Sequence, residues 1–335
     1  MTAFCFFSYV LPYVTARVVG NDHFSGFGPG NGDPNDEFYP EQKAYLEAIS
    51  VPEAWSILAT APKRTPVTIA VIDDGIEADH PDLKGRVIEG YNVIDKNTDT
   101  HPRGPHGTMM TGILGAITNN KIGIAGVVDG VRVLPIFTGE KAEGATDLDA
   151  FQYLIDERKD VKVILYTATY KLAYPPLLRK ILEAVIAGML VVVSAGNNHV
   201  DMDVTKEFPC TLSGQHRDGV ICVAATNDTK MQLDDESNFG STVDIATPGY
   251  RLLATSTGGT YKLVTGTSAA AAIAAGVAGM LYSLEPSQKA ELTPNYIKTI
   301  IKETATPGVK DNKGKKTLSF GRLDAVAAVR KLLQQ

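Results

Sequence analysis

The sequence is poor in cysteine and in clustered charge, and it has no apolar run long enough to cross a membrane as a helix. Three cysteines in 335 residues are too few for a disulfide-rich scaffold, and no cluster of Cys and His has the spacing of zinc ligands. A spanning helix needs roughly 20 apolar residues, which no stretch supplies. The formal net charge is −6, without a long cluster of Lys and Arg. We therefore expect no nucleic acid partner and no membrane span.

The N-terminal residues form a separate apolar block. Residues 3–14 have the length of the hydrophobic region of a signal peptide, and residues 14–16 have the small ends of a cleavage site. Against this, Pro12 interrupts the block and no Lys or Arg precedes it. We predict a signal peptide over residues 1–16 and a secreted protein, with an artefact of the start site as the alternative.

The cysteines leave two interpretations open. If Cys5 is removed with the signal peptide, Cys210 and Cys222 remain as an even pair, which suits an oxidising compartment. The two residues flank one connection into a predicted strand and could form a disulfide there. Two buried free thiols fit the sequence equally well.

Val- and Ile-rich segments alternate with helix-like stretches from Tyr39 onward. Their apolar residues show little polar alternation, as in a parallel sheet covered on both faces. Strands are predicted at residues 66–75, 131–137, 161–167, 189–197 and 219–226. This alternation predicts an α/β fold, a doubly wound, mostly parallel β-sheet with helices on both faces. We find no internal repeat or linker, and predict a flexible segment at residues 17–34 and a single domain at 35–335.

Polar residues at strand ends and helix starts are the candidates for chemistry, because ligand sites of such sheets collect there. Asp73 ends a predicted strand, where an aspartate is often only a turn former. His106 begins a helix-like stretch, although a single histidine is more often structural. Asn197 ends a buried strand, and Ser268 precedes an alanine-rich helix at 269–281. Their ordinary interpretations are a turn residue and a helix cap.

In combination, these segments resemble the motifs of the subtilisin-like serine proteases, the subtilases, in the order in which that family carries them. The motifs are "VIDDG" (71–75), "HGT" (106–108), "SAGN" (194–197) and "GTSA" (266–269). The stretches "HPDL" (80–83), "NNKIGIAGV" (119–127) and "ATPG" (246–249) agree with them. The resemblance covers roughly residues 35–332 and implies the subtilisin-like three-layer sandwich.

The resemblance implies a serine endopeptidase that hydrolyses peptide bonds with an Asp-His-Ser triad. Ser268 would be the nucleophile, His106 the general base and then acid, and Asp73 the residue that orients the imidazole. The amide of Asn197, with the backbone N–H of Ser268, would form the oxyanion hole. Asp74 occupies a position that varies in the family, and we expect no role for it.

Three departures from the family pattern keep a second function open, a catalytically weak or inactive pseudoprotease that binds peptide or protein partners. Residues 269–272 are four alanines in place of the usual Met-Ala-x-Pro, and smaller residues can loosen the support of the serine. The substrate-pairing strand reads Thr167-Ala168-Thr169 instead of Ser-Leu-Gly, and these residues are the predicted substrate-binding edge. Members of the family are typically made with a folding propeptide before the mature domain, and residues 17–34 are too few for such a domain.

The resemblance also implies partners and a metal. Besides a peptide or protein substrate, we expect a propeptide or protein inhibitor as a partner, and a monomer. One structural Ca²⁺ ion is expected near the N-terminus, since Ca²⁺ takes 6–8 oxygen ligands. Its predicted ligands are the side chains of Gln42, Asp82 and Asn120 and main-chain oxygens of Ile117, Ile122 and Ile124. The alternative for the metal site is a plain Asn-rich turn.

A third function for the chain is a nucleotide-binding α/β protein. This would need a G-x-G-x-x-G motif after a strand, and the sequence has none there.

Overall fold

A parallel β-sheet lies at the centre of the computed structural model, which describes residues 32–61, 63–213, 219–227, 229–284 and 291–334. The strands are β1 (Val67–Asp73), β2 (Tyr91–Asn92), β3 (Val131–Phe137), β4 (Val161–Tyr166), β5 (Leu190–Ser194), β6 (Val220–Thr226), β7 (Ile245–Pro248), β8 (Leu252–Ser256), β9 (Thr260–Val264) and β10 (Gly321–Arg322). In these residues, eight strands form the sheet in the order β10-β7-β6-β5-β4-β1-β3-β2, and β8 and β9 form a separate antiparallel hairpin. All pairings within the sheet are parallel.

Helices cover both faces of this sheet. They are α1 (Tyr39–Ala48), α2 (Val51–Thr60), α3 (His106–Gly115), α4 (Gly144–Glu157), α5 (Pro175–Ile186), α6 (Thr267–Ser283), α7 (Pro294–Thr304) and α8 (Ala325–Leu333). Alternate residues of β1 serve two cores: Ile69 packs in the core with α3 and α6, whereas Ile72 packs in the core with α4 and α5. The predicted doubly wound α/β fold is confirmed, because both faces of a parallel sheet are buried under helices.

Helix α6 passes through the larger core with almost no polar surface. It begins at Thr267, two residues before the predicted start, and residues 269–283 are all buried. A side chain at Gly279 would come within 2.9 Å of Ile69 on β1, so the glycine lets the helix lie close to the sheet. Alanine and glycine therefore allow this helix to pack closely in the core. Among the described residues, no helix is long and apolar enough to span a bilayer.

A disulfide joins Cys210, in a short 3₁₀ turn (Cys210–Leu212), to Cys222 on β6, with 5.2 Å between the two Cα atoms. Of the two interpretations left open by the sequence, the disulfide is the one the structure contains. The predicted signal peptide over 1–16 and most of the segment 17–34 lie outside the described residues. The single domain at 35–335 stays a prediction.

Candidate active site

The site lies at the carboxyl ends of three neighbouring strands, β1, β4 and β5. Asp73 is the last residue of β1, and His106 is the first residue of α3. The Nδ1 atom of His106 lies 2.9 Å from Oδ1 and 2.8 Å from Oδ2 of Asp73. Because an ionised carboxylate only accepts hydrogen bonds, Nδ1 carries the proton of the neutral ring. Nε2 is therefore the nitrogen of the neutral ring that carries no proton.

Asp74 holds the start of the histidine helix against the end of β1. Its Oδ2 accepts the backbone N–H of His106 at 3.1 Å, and its Oδ1 accepts that of Gly107 at 2.7 Å. Helix amides of the first turn have no acceptor inside the helix, so the carboxylate satisfies two of them. A side chain at Gly107 would come within 2.3 Å of the carbonyl oxygen of Gly75, which explains the glycine after the histidine.

Two carboxylates set the protonation of this histidine. Burial lowers the pKa of His106, but the charge of Asp73, its hydrogen bond and the charge of Asp74 outweigh burial and raise the pKa to about 9. Burial and the neighbouring charge of Asp73 raise the pKa of Asp74 to about 7. The imidazolium is therefore strongly stabilised, which is the electrostatic condition for a base that must hold a proton during a reaction.

Asn197 lies beyond the end of β5 with its amide oriented by a buried threonine. Its Oδ1 accepts the backbone N–H of Thr267 at 2.8 Å and the hydroxyl of Thr267 at 2.9 Å. The same hydroxyl oxygen accepts the N–H of Gly196 at 3.0 Å. The Nδ2 group of this exposed asparagine donates to no acceptor in the described part of the chain. One amide donor is thus fixed in direction and left available to a ligand.

Ser268 is the second residue of α6 and is half-buried. Gly266, two residues before Ser268, has a φ of 144°, which favours glycine. A side chain there would also come within 3.2 Å of Asn197. Helix α6 packs against α3, which His106 begins. The structure thus brings Asp73 to His106, and Asn197 to the residue before Ser268.

The predicted substrate-binding residues Thr167, Ala168 and Thr169 continue the chain after β4 and are half-buried. The carbonyl oxygen of Thr167 accepts the hydroxyl of Ser194 at 2.8 Å. In the described residues, the backbone groups of Ala168 and Thr169 take part in no hydrogen bond. These groups are therefore available to an added strand.

The residues of the six predicted calcium ligands take part in a network of hydrogen bonds. The three isoleucines join it through their N–H groups and not through the predicted main-chain oxygens, and Gln42 joins it only through the neighbouring Ala125. The network consists of Asn120 Nδ2 to Asp82 Oδ1 at 2.7 Å, Ile124 N–H to Asp82 Oδ2 at 2.8 Å, Ile117 N–H to the Asp82 carbonyl at 2.9 Å, Ile122 N–H to Asn120 Oδ1 at 2.9 Å, and Ala125 N–H to Gln42 Oε1 at 2.7 Å. Tyr261 also donates its hydroxyl to Asp82 at 3.3 Å.

This network does not fit a calcium ion as it stands. Each side-chain oxygen already accepts from a protein donor, and Asn120 turns its nitrogen toward Asp82. The calcium ion thus stays a prediction from the resemblance.

Two positioning residues escaped the sequence analysis. Asp74 was expected to have no role, yet it caps α3 through a contact between residues 33 positions apart. Thr267 is completely buried and orients Asn197 from 70 positions away. The only signal in the sequence is that each is a polar residue next to a predicted catalytic residue, Asp74 after Asp73 and Thr267 before Ser268. Only the fold shows which groups they contact.

Known proteins resemble this chain over most of its length. The model described as "Subtilase family" matches residues 64–321. Thermitase from Thermoactinomyces vulgaris is 31% identical over 255 residues, 75% of this chain and 85% of that protein. The major intracellular serine protease of Bacillus subtilis is 29% identical over 250 residues, 72% of this chain and 75% of that protein.

A solved protease structure from Pseudoalteromonas arctica superimposes on this chain with a TM-score of 0.77 at 25% identity. The match covers 90% of this chain and all of that one. Family model, relatives and fold therefore all support the family resemblance seen in the sequence. The chain belongs to the subtilase family and is a serine endopeptidase.

Proposed function

We propose that Asp73, His106 and Ser268 form the catalytic triad and that Asn197 supplies a donor to the oxyanion. The observation that carries this proposal is the contact of His106 Nδ1 with both carboxylate oxygens of Asp73, at 2.8 and 2.9 Å. The contact orients the ring and keeps the proton on Nδ1, so that Nε2 can exchange a proton with Ser268 and the substrate.

The reaction proceeds in two halves. The hydroxyl oxygen of Ser268 attacks the carbonyl carbon of the scissile bond while Nε2 of His106 takes the hydroxyl proton. The carbonyl oxygen becomes an anion and accepts hydrogen bonds from Asn197 Nδ2 and the backbone N–H of Ser268. His106 gives its proton to the amine nitrogen, the C–N bond breaks, and an acyl ester remains on Ser268. Water then attacks this ester, gives a proton to His106, and the proton returns to Ser268 as the acid leaves.

The substrate is an extended peptide segment. The unpaired backbone groups of Ala168 and Thr169 can pair with the substrate main chain as an added strand, which makes binding depend little on their side chains. This edge follows β4, whose neighbours in the sheet are β1 and β5. The edge therefore lies between the strand that ends at Asp73 and the strand that leads to Asn197.

We propose an active enzyme rather than a pseudoprotease. The four alanines that replace the usual residues after Ser268 are completely buried, so α6 supports the serine through a packed core. Alanine removes volume without introducing a clash, and we expect slower turnover than in typical relatives.

We further propose that the protein is secreted and acts as a monomer on peptides or proteins. The disulfide supports an oxidising compartment. The names of its relatives do not favour one location, because they include both intracellular and extracellular proteases. A propeptide or protein inhibitor would occupy the same substrate-binding edge. The monomer rests on the family resemblance alone. The calcium ion is not part of this proposal, because protein donors already occupy the side-chain oxygens around Asp82.

Labelling with a fluorophosphonate probe tests the nucleophile. We expect the probe to label the native chain and the Ser56→Ala control, and casein cleavage to accompany labelling. Ser268→Ala should lose both while keeping its circular dichroism spectrum. Equal labelling of native chain and Ser268→Ala would mean that another residue is the nucleophile. A folded native chain that neither reacts nor cleaves, with calcium supplied, would establish the pseudoprotease.

A further inference from the structure

Among the buried carboxylates of the described residues, that of Glu207 alone has no short hydrogen bond or ion pair. The other buried acidic side chains in these residues each have a hydrogen bond or ion pair of 3.1 Å or less; they are Asp36, Asp82, Asp129, Asp147, Asp234 and Asp244. Glu207 is 1% exposed, and its one hydrogen bond in the described chain is a long one, from Asn198 Nδ2 at 3.5 Å. Its carboxylate forms no ion pair with any described cation.

Glu207 lies beside the two elements that would hold the substrate. Its hydrogen-bond partner Asn198 directly follows Asn197, the proposed oxyanion donor. The next residue, Phe208, exchanges backbone hydrogen bonds of 2.8 and 2.9 Å with Tyr170, which directly follows Thr169 of the substrate-binding edge. Glu207 is therefore connected through Phe208 to the chain that would pair with the substrate, and through Asn198 to the residue after the amide that would bind the carbonyl oxygen.

An unpaired carboxylate is costly in this place. Burial raises the pKa of Glu207, and the charge of Lys171 lowers it only in part. A buried carboxylate without a counter-ion loses hydration that a cation or several hydrogen bonds must replace. The protein itself supplies no such group beyond Asn198 in its described residues, whereas a substrate with a long cationic side chain would.

We propose that Glu207 determines specificity by receiving the side chain of the residue that contributes the scissile carbonyl, and that it selects lysine or arginine there. The inference rests on the assignment of Asn197 and Ser268 above, because these residues place the scissile carbonyl next to Asn198. The side chain of that residue then projects toward Glu207, and its cation forms the ion pair that the free protein lacks. An acidic side chain at the same position meets like charge and is excluded.

Peptide substrates that differ at one position test the proposal. Four peptides carry arginine, lysine, norleucine or glutamate at the residue before the scissile bond, and norleucine has the four side-chain carbons of lysine without the ammonium group. We expect kcat/KM to be at least about tenfold higher for arginine and lysine than for norleucine, and lowest for glutamate. Glu207→Gln keeps the shape and removes the charge. It should lower kcat/KM for arginine and lysine by about 100-fold and leave norleucine within about threefold.

Glu236→Gln is the matched control, because it removes an exposed negative charge near Asn198 without touching the substrate-binding edge. It should leave all four peptides unchanged. An equal loss in Glu236→Gln and Glu207→Gln would mean that net charge, and not a pocket, attracts the cation, and would overturn the proposal. If Glu207→Gln does not fold, the proposal is tested by the native chain alone. A preference for arginine over norleucine of at least about tenfold supports it, and no preference overturns it.

A binding measurement separates this inference from the proposed catalysis. Benzamidine, a small cation that resembles an arginine side chain, is titrated against Ser268→Ala by calorimetry. We expect binding, and at least about tenfold weaker binding when Glu207→Gln is added. If the probe labels Ser268 and norleucine peptides are cleaved, but arginine brings no preference, only the role of Glu207 is overturned. If neither labelling nor cleavage occurs, the proposed function fails and this inference with it.

Discussion

The carboxylate of Asp74 accepts the backbone N–H groups of His106 and Gly107, at 3.1 and 2.7 Å. The residue that follows Asp73 thus fixes the helix on which the histidine stands, and it adds a second negative charge beside the imidazole. The two neighbouring aspartates act on different parts of one residue: Asp73 contacts the ring and Asp74 contacts the backbone. Both affect the protonation of His106.

The native enzyme should require alkaline conditions. The pKa of His106 is raised to about 9 by the charges of Asp73 and Asp74, against the effect of burial. Below that pH the ring is protonated and cannot accept the proton of Ser268, so activity is lost as pH falls and gained as pH rises through about 9. We expect kcat/KM for an uncharged peptide to follow a single ionisation with its midpoint near this value. A midpoint below about pH 7 would contradict this account of the histidine.

Removing the charge of Asp74 should move that midpoint. Asp74→Asn keeps one amide-accepting oxygen and loses the negative charge, so we expect the midpoint of the pH–rate profile to fall by roughly one pH unit. At neutral pH the variant would then be more active relative to its own maximum than the native enzyme. The profile is measured with the same uncharged peptide.

Loss of the helix cap must be separated from loss of charge. Asp74→Ala removes both, and the two lost hydrogen bonds should lower the free energy of unfolding by about 1–2 kcal/mol. Asp74→Asn should cost less, because it retains an acceptor. A lower stability with an unchanged pH midpoint in both variants would mean that Asp74 is a cap and nothing more.

The sequence predicts the parts of this site that depend on local pattern. The apolar run of β1 places Asp73 at a strand end, and the run of β5 leads directly to Asn197, because buried parallel strands have a continuous apolar signature. Contacts between distant segments leave no such signature. Neither the neighbours of Glu207 nor the contact of Tyr261 with Asp82, 179 positions apart, can be deduced before the fold is known. Five strands are absent from the sequence prediction, namely β2, β7, β8, β9 and β10, and of these β2 and β10 have only two residues each, which carry no periodicity.

Thr267 should control turnover through Asn197. Thr267→Val keeps the volume but removes the hydroxyl that donates to Asn197 and accepts from Gly196. We expect kcat to fall by about tenfold with little change in KM, because the amide loses its fixed direction only in part. Thr267→Ser keeps the hydroxyl and should stay near the native rate.

The matched comparison for Thr267 is removal of the donor itself. Asn197→Ala should lower kcat by about 10²–10³, a magnitude taken from measurements on a subtilisin. If Thr267→Val loses as much stability as activity, the threonine supports the fold rather than the oxyanion donor. Thermal unfolding of each variant supplies that control.

The last prediction concerns the network around Asp82, where the family resemblance and the structure lead to opposite expectations. A bound calcium ion at about 1,000 times its Kd would add about 4 kcal/mol to stability, enough to raise the Tm by roughly 10 °C. The hydrogen bonds from Asn120, Ile124 and Tyr261 instead satisfy Asp82 from within the protein. We therefore expect Ser268→Ala, which cannot digest itself, to have the same Tm in EDTA and in millimolar calcium. Adding Tyr261→Phe should lower the free energy of unfolding by about 1–3 kcal/mol, because Asp82 is completely buried. A Tm that rises with calcium in Ser268→Ala, but not once Asp82→Asn is added, would restore the metal site that the resemblance implies.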